Sequence, residues 1–478
     1  MNASLDPDEP RAPRWPTWVA MALLALVTYL PAALGADLLQ FDDNFFFGPD
    51  NPEFVRGLGA VWTEPIANAY LPVAHTSLWL DFALAGGAPV LPHLHALLLH
   101  ALAAVVLVRV LETLGVSRLA AHVAAGLFVV HPALAESVAW VSSRKVVLSA
   151  VFVFWALLLT ARAPKTSRAL GVAGCTAVAM LANATAVVTP LLALGVAAWA
   201  GGGRRRFAGP LLALGVAAGL AWMHQQVAAS QGTLAAADPL QRLAQVPGAF
   251  LHYLVTAVWP LQLNVLYPEV GTLEAFRDAL LPGALALTVV VVTGLLLVLR
   301  SSTRAVGAGL CAFVIALLPF NTAYPASSIA AADRYLYLAV PGLALAVAAA
   351  AAALHRRGPW FAALLGAPLL WLGAGRAHDF RDDATLWQAS LAVDEQNAVA
   401  HLNLVYDRLR TPDTPIDRLT PHLDAAVKAA RYPVHELRAR VLLRQLAMAT
   451  ADYGAAANNA RAAMRAARAQ LALEESPQ

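Results

Sequence analysis

The sequence predicts an all-α membrane protein, and three observations carry that reading. Of its 478 residues, 59% are hydrophobic and only 13% are charged, against about 25% charged in a soluble globular domain; mean hydropathy is +0.60. Eleven apolar runs fill the first 375 residues, most of them close to the roughly 20 residues a helix needs to cross about 30 Å of hydrocarbon. Beyond them the chain turns polar. The net charge of +3 is too small to argue for nucleic acid, and the cations fall in short clusters that carry topological information instead. Cys175 and Cys311 both lie inside apolar runs, which implies no disulfide framework and excludes a CxxC metal site.

The runs are read at 17–36, 90–110, 119–134, 146–162, 168–182, 185–200, 207–223, 279–299, 305–320, 336–354 and 358–375. The first, preceded by Arg11 and Arg14 and ending in Leu34-Gly35-Ala36, has the outline of a signal peptide. Ten further runs behind it favour an uncleaved anchor. With the N-terminus inside, the inner loops hold Arg109 and Arg118, then Arg162, Lys165 and Arg168, then Arg204-Arg205-Arg206. Arg300, Arg304 and His355-Arg356-Arg357 follow on the same side, as the positive-inside rule requires. This places the loop 37–89, the segment 224–278 and everything after about 376 outside. The stretch 249–268, interrupted by Pro260 and Pro268, would invert every later loop if it crossed. It is expected to be an interfacial or re-entrant helix, tolerable where protein or water satisfies its broken backbone.

Residues 1–375 are therefore expected to form a polytopic membrane domain, and 376–478 a small helical one. In the latter, Arg381-Asp382-Asp383-Ala384-Thr385-Leu386-Trp387 and Ala398-Val399-Ala400-His401-Leu402-Asn403-Leu404 read as two amphipathic helices of a tetratricopeptide-like hairpin. A tail of that kind serves equally as a plain helical cap or as a docking surface for a protein partner.

Residues with chemical character gather on the outer side. The loop after the first run carries Phe41-Asp42-Asp43-Asn44 beside Phe45, Phe46 and Phe47; the acids are either ordinary wet-loop carboxylates or a catalytic base. After the third run come His131, Glu136 and the pair Arg144-Lys145. These fit an anionic head group, or a cation pair snorkelling from a helix end, although positive charge is disfavoured on that side. Asp333-Arg334-Tyr335 repeats the theme before the tenth run; Arg334 suits bidentate phosphate recognition unless Asp333 simply neutralises it. His93, His95 and His100 lie on the second run. His93 and His100 share a face, and core hydrogen bonding explains them better than metal binding.

The order of these motifs resembles that of bacterial relatives of the transmembrane-and-tetratricopeptide-repeat O-mannosyltransferases, in the C-type glycosyltransferase superfamily. The resemblance runs over nearly the whole chain. It rests on Phe41-Asp42-Asp43 with Asn51-Pro52, on Tyr70-Leu71-Pro72-Val73 with Trp79-Leu80-Asp81, and on His131-Pro132 with Glu136-Ser137-Val138-Ala139-Trp140-Val141 and Arg144-Lys145. Trp259-Pro260-Leu261 with Leu266-Tyr267-Pro268, then Asp333-Arg334-Tyr335-Leu336-Tyr337-Leu338, and Thr385-Leu386-Trp387 complete it.

That resemblance implies a C-type glycosyltransferase-like helical bundle in a bacterial inner membrane, with its active face and C-terminus in the periplasm. It implies a polyprenyl-phosphate sugar donor, mannose among the candidates, and a hydroxyl acceptor on protein or glycan. The transfer would invert, with Asp43 (or Asp42) as base, and Arg144, Lys145 and Arg334 would hold the departing phosphate. His131, Glu136 and Tyr335 would support them. A divalent ion at Asp42 and Asp43 is compatible with this chemistry, but two acids do not make a specific site. Two positions depart from the family pattern. Val146 stands where the family has an Asp, and Ala182-Asn183-Ala184 where it has Ser-Lys-Pro, which leaves open an altered donor or lost activity. The rival classes are a non-catalytic scaffold docking partners through its tail, and a lipid-linked glycan ligase. A secondary transporter would show internal repeats and mid-span charges, which the sequence lacks.

Overall fold

The computed structural model describes residues 15–475 except 44–46, 48–54, 67–68, 232–238, 268–272, 322–330, 356, 411–414 and 451. The motif residues Asn44, Phe45, Phe46, Asn51, Pro52 and Pro268 thus lie outside the described residues. Among those described, every regular element is a helix.

All eleven apolar runs are helical. They form α1 (Trp15–Ala33), then, past the short α2 (Leu58–Thr63) and α3 (Pro72–Ala85), α4 (Val90–Thr113) and α5 (Arg118–Val130). A short α6 (Ala135–Ala139) leads to α7 (Arg144–Ala161), α8 (Thr166–Ala182), α9 (Thr189–Ala200) and α10 (Ala208–Ser230). After α11 (Pro239–Val258) come α12 (Leu273–Val298), α13 (Arg304–Asn321) and α14 (Val340–Leu354), and the last run is the pair α15 (Gly358–Leu364) and α16 (Gly366–Asp379). Five stretches among the described residues are long and apolar enough to cross a bilayer, and a sixth is if the bent pair Arg118–Val130 and Pro132–Ala139 counts as one. Five shorter apolar helices of 10–17 residues match the remaining runs. Composition and helices together make this an integral membrane protein.

The bend has a local cause. Pro132 has no N–H to continue the ladder, and the chain turns by 58° there. The His131 side chain accepts from the Ala133 N–H (3.3 Å) and so caps the new turn. Helices α1, α4, α5, α7 and α14 share the largest buried cluster. Helix α13 crosses α14 at Gly309 and Gly342, where a Cβ on either glycine would collide with backbone of the other helix. Helix α11, which covers the first half of the stretch expected to be interfacial, packs along α12 and α13 and is not among the helices apolar enough to span.

The polar region folds into α17 (Asp383–Val393), α18 (Ala398–Leu409), α19 (Thr420–Ala429), α20 (Pro433–Ala449) and α21 (Tyr453–Glu475), each packed on its predecessor. Side chains start the first two. Asp382 accepts from the Thr385 N–H (2.7 Å) and Asn397 from the Ala400 N–H (3.1 Å), the N-cap geometry that satisfies an otherwise orphaned donor. Leu402, Val405, Leu419, Leu423, Ala426, Ala439 and Leu443 form a small core of their own.

Candidate active site

The motifs singled out in the sequence close on one another at the end of the bundle that carries the acid loop. Asp81 pairs with Arg144, Glu136 with Arg334 and Tyr267 with Asp333. Phe41 stacks on Trp140 with ring centres 4.9 Å apart, and Asp43 is held by Ser142. Segments distant in sequence thereby build one cluster.

The two acids occupy opposite environments. Asp43 is fully buried. One carboxylate oxygen accepts the Leu39 N–H (2.9 Å); the other accepts the Ser142 N–H (2.8 Å) and hydroxyl (2.5 Å). Burial pushes its carboxyl up to about 7, against the lowering effect of those donors. Asp42 is exposed, with a φ of 72°, and is the one non-glycine with positive φ among the described residues. Asp is among the few side chains that visit this left-handed region, at a cost of order 1–3 kcal/mol, so the surroundings must enforce it. Neighbouring acids thus point apart, one into the protein and one out.

The cations divide in the same way. Arg144, expected to face a phosphate, has its guanidinium fully buried. It is occupied by Asp81, by the Pro92 carbonyl and by the Ser77 hydroxyl (3.3 Å). Asp81 also engages His95, whose side chain is 39% exposed. Arg144 therefore ties α7 to α3 and α4 and is not available at a mouth. Lys145, on the next position, is only partly buried and lies within electrostatic reach of Asp42, Glu136 and Arg334. Arg334 sits in a 3-10 turn, Asp333–Leu336, ahead of α14. Both carboxylate oxygens of Glu136 hold that turn, one through the Arg334 guanidinium and one through its backbone N–H (3.0 Å). The guanidinium lies over Trp140 at 5.5 Å and Tyr335 at 5.1 Å, and keeps a side-chain exposure of 9%.

Supporting residues are placed as follows. Tyr335 stacks on Phe320 at 4.1 Å. His131 is buried and bonds the Ala257 carbonyl (2.9 Å), so its role is to join the bend to α11. Asp333 accepts from the Tyr267 hydroxyl (2.5 Å) and lies 3.7 Å from Arg376; it does not pair with its neighbour Arg334. His100 bonds the Tyr337 hydroxyl (2.6 Å) and the Val129 carbonyl (3.1 Å), a core role. Among the described residues no group of three or more His, Cys, Asp or Glu is placed to hold a metal. Sequence reasoning missed Ser142, Asp81 and Trp140 as partners. Asp81 and Trp140 stand inside the quoted motifs, which could have drawn attention to them; Ser142 falls in the gap between Val141 and Arg144.

No family model matches the chain, and no curated protein is similar to it. Among solved structures, the chain is similar to the crystal structure of ArnT from Cupriavidus metallidurans bound to undecaprenyl phosphate. The identity is 14% and the TM-score 0.39, over 95% of this chain and 76% of that one. A likeness so slight has no bearing on the site.

Proposed function

We propose that this chain is a membrane glycosyltransferase of C-type architecture that moves a sugar from a polyprenyl-phosphate donor to a hydroxyl on the outer face of a bacterial inner membrane. The observation that carries the reading is the exposed, left-handed Asp42 set between Phe41, which stacks on Trp140 beneath the Arg334 guanidinium, and Asp43, which is held by Ser142 three positions before Lys145. An anion-binding pair next to a solvent-facing carboxylate is what transfer from a lipid phosphate needs. A lipid donor also accounts for the embedding, since it never leaves the bilayer.

We assign Asp42 as base and Asp43 as anchor, because Asp42 is exposed while Asp43 is buried and held by Leu39 and Ser142; from the sequence Asp43 was the favoured base. Asp42 takes the proton of the acceptor hydroxyl, whose oxygen bonds to the anomeric carbon as the bond from that carbon to the lipid phosphate breaks. The configuration inverts, and the electron pair leaves with the phosphate. A positioned base is worth roughly 10²–10⁴ in rate. Lys145 and Arg334 stabilise the charge that develops on the phosphate, Arg334 being aimed by Glu136. The donor sugar expected from the motif resemblance is mannose, and the acceptor a protein or glycan hydroxyl. The C-terminal helices are of the tetratricopeptide type in this reading.

The test is mass spectrometry of glycans on envelope proteins and lipids from cells with the wild-type chain, with Asp42→Asn, and without the chain. Loss of one glycan class in both altered strains supports the proposal; identical glycans in all three overturn it.

A further inference from the structure

The first two helices of the polar region close on the back of the acid loop. The Asp37 N–H donates to the Arg381 carbonyl (2.8 Å), and the Gln40 N–H donates to both carboxylate oxygens of Asp383 (3.1 Å each). Trp387, 1% exposed, presents its ring edge-on to Phe41, with ring centres 5.2 Å apart. Phe41 stacks on Trp140, whose indole N–H returns a bond to the Phe41 carbonyl (2.9 Å). Leu39, Phe380, Leu386, Ala400 and Leu404 complete a small apolar core around these rings. A second tie runs through Asn264: its amide N–H donates to the Ser390 carbonyl (3.4 Å), and the Ser390 hydroxyl donates to its oxygen (2.6 Å).

The loop is therefore gripped on both sides of residue 42. Ahead of it, positions 37, 40 and 41 are bound to Arg381, Asp383 and Trp387; behind it, Asp43 is bound to Ser142. A left-handed aspartate persists only where its neighbours over-determine it, and here half of the determination comes from a region remote in sequence. A misplacement of about 1 Å in a reacting group costs up to about 10²-fold in rate.

We infer that Asp383 and Trp387 are positioning residues: they hold the loop so that Asp42 keeps its exposed, left-handed pose. The inference rests on the catalytic reading of Asp42 given above. It gives the C-terminal region a task inside its own chain, in place of the partner docking that its helical pattern suggests.

Two measurements on the full-length protein in nanodiscs test it, and one of them needs no activity. A nitroxide on a cysteine introduced at position 42 reports loop mobility by electron paramagnetic resonance. Asp383→Ala should mobilise it, and Asp383→Asn, which keeps an acceptor oxygen for the Gln40 N–H, should restore most of the order. Unchanged spectra in Asp383→Ala and Trp387→Ala would overturn the clamp. In parallel, transfer is assayed with undecaprenyl-phosphate mannose in chains that keep Asp42. Asp383→Ala should lower kcat roughly 10- to 100-fold with donor KM little altered, the pattern of a misaimed group and not of lost donor binding. Trp387→Phe keeps the apolar bulk of the small core and should show the same kcat-only loss to a smaller degree. A rise in KM at constant kcat would also overturn the inference. If Asp42→Asn proves fully active, the catalytic reading falls, while the spectra still decide whether the clamp exists.

Discussion

Asp43 and Ser142, 99 positions apart, share two hydrogen bonds to one carboxylate oxygen, from the Ser142 N–H at 2.8 Å and its hydroxyl at 2.5 Å. This contact fastens the acid loop to the entrance of α7, one residue ahead of Ser143 and two ahead of Arg144. Ser142→Ala removes the hydroxyl donor and leaves the backbone one. It is expected to cost about 1–3 kcal/mol, read as a lowered unfolding midpoint in detergent, and to reduce transfer together with stability.

The proton on Asp43 gives stability a pH dependence of definite sign. The folded state keeps that proton up to about 7, whereas an aspartate in the unfolded chain loses it near 3.8. Between those values the folded state binds more protons than the unfolded one, so stability falls as pH rises through the interval and is level above it. Asp43→Asn has nothing to titrate there. The unfolding midpoint of the wild type relative to that variant should therefore decline from about pH 4 to about pH 7. A difference that stays constant, or rises, would place the proton elsewhere.

The adjacent acids should separate in mutagenesis. Asp42→Asn is expected to lower transfer by roughly 10²–10⁴ while the protein inserts and accumulates as usual. Asp43→Asn should disturb the loop, with its loss of activity accompanied by altered stability. Full activity in both single variants and in the double would remove the base from the mechanism.

Arg144 and Arg334 each pair with a buried carboxylate, Asp81 and Glu136, but Arg144 is fully buried whereas Arg334 keeps a side-chain exposure of 9%, so the two should separate in degree. Arg144→Ala leaves buried Asp81 with His95 but without its guanidinium partner, a change worth up to roughly 3–5 kcal/mol, and abundance should fall. Arg334→Ala likewise leaves Glu136 buried without its guanidinium partner, so abundance should fall, but initial rates at equal protein should fall further. Substituting Lys for Arg144 would not be conservative, since one guanidinium reaches Asp81 and the Pro92 carbonyl at once.

Orientation is tested by labelling. A cysteine at position 230, the end of α10, should react with a membrane-impermeant reagent added from the periplasmic side. Labelling from the cytoplasmic side alone would invert the arrangement and separate the acid loop from its proposed substrates.

What the sequence disclosed and what it hid follow from range. Apolar runs were legible because span length and hydropathy are local, and each run is a helix; the bend at Pro132 changes direction without ending the apolar run. Pairings were not legible. That Asp81 meets Arg144, or that the backbone of Gln40 meets Asp383, 343 positions away, is decided by how helices stack. Asp42 is exposed and Asp43 buried, in a turn and not in an extended strand. Which of them faces outward turns on one left-handed residue, and no composition or spacing encodes its φ. The family resemblance supplied the motif residues without their division of labour, so Arg144 was grouped with Lys145 although Arg144 is fully buried and Lys145 only partly so.

The glycine crossing of α13 and α14 reaches further than packing. The turn bearing Arg334 runs almost directly into α14, so that guanidinium rides at whatever height the helix is allowed to sit. Gly309 and Gly342 let two backbones touch where any larger residue would wedge them apart. Two residues without side chains thus act as the depth stop of a cationic one.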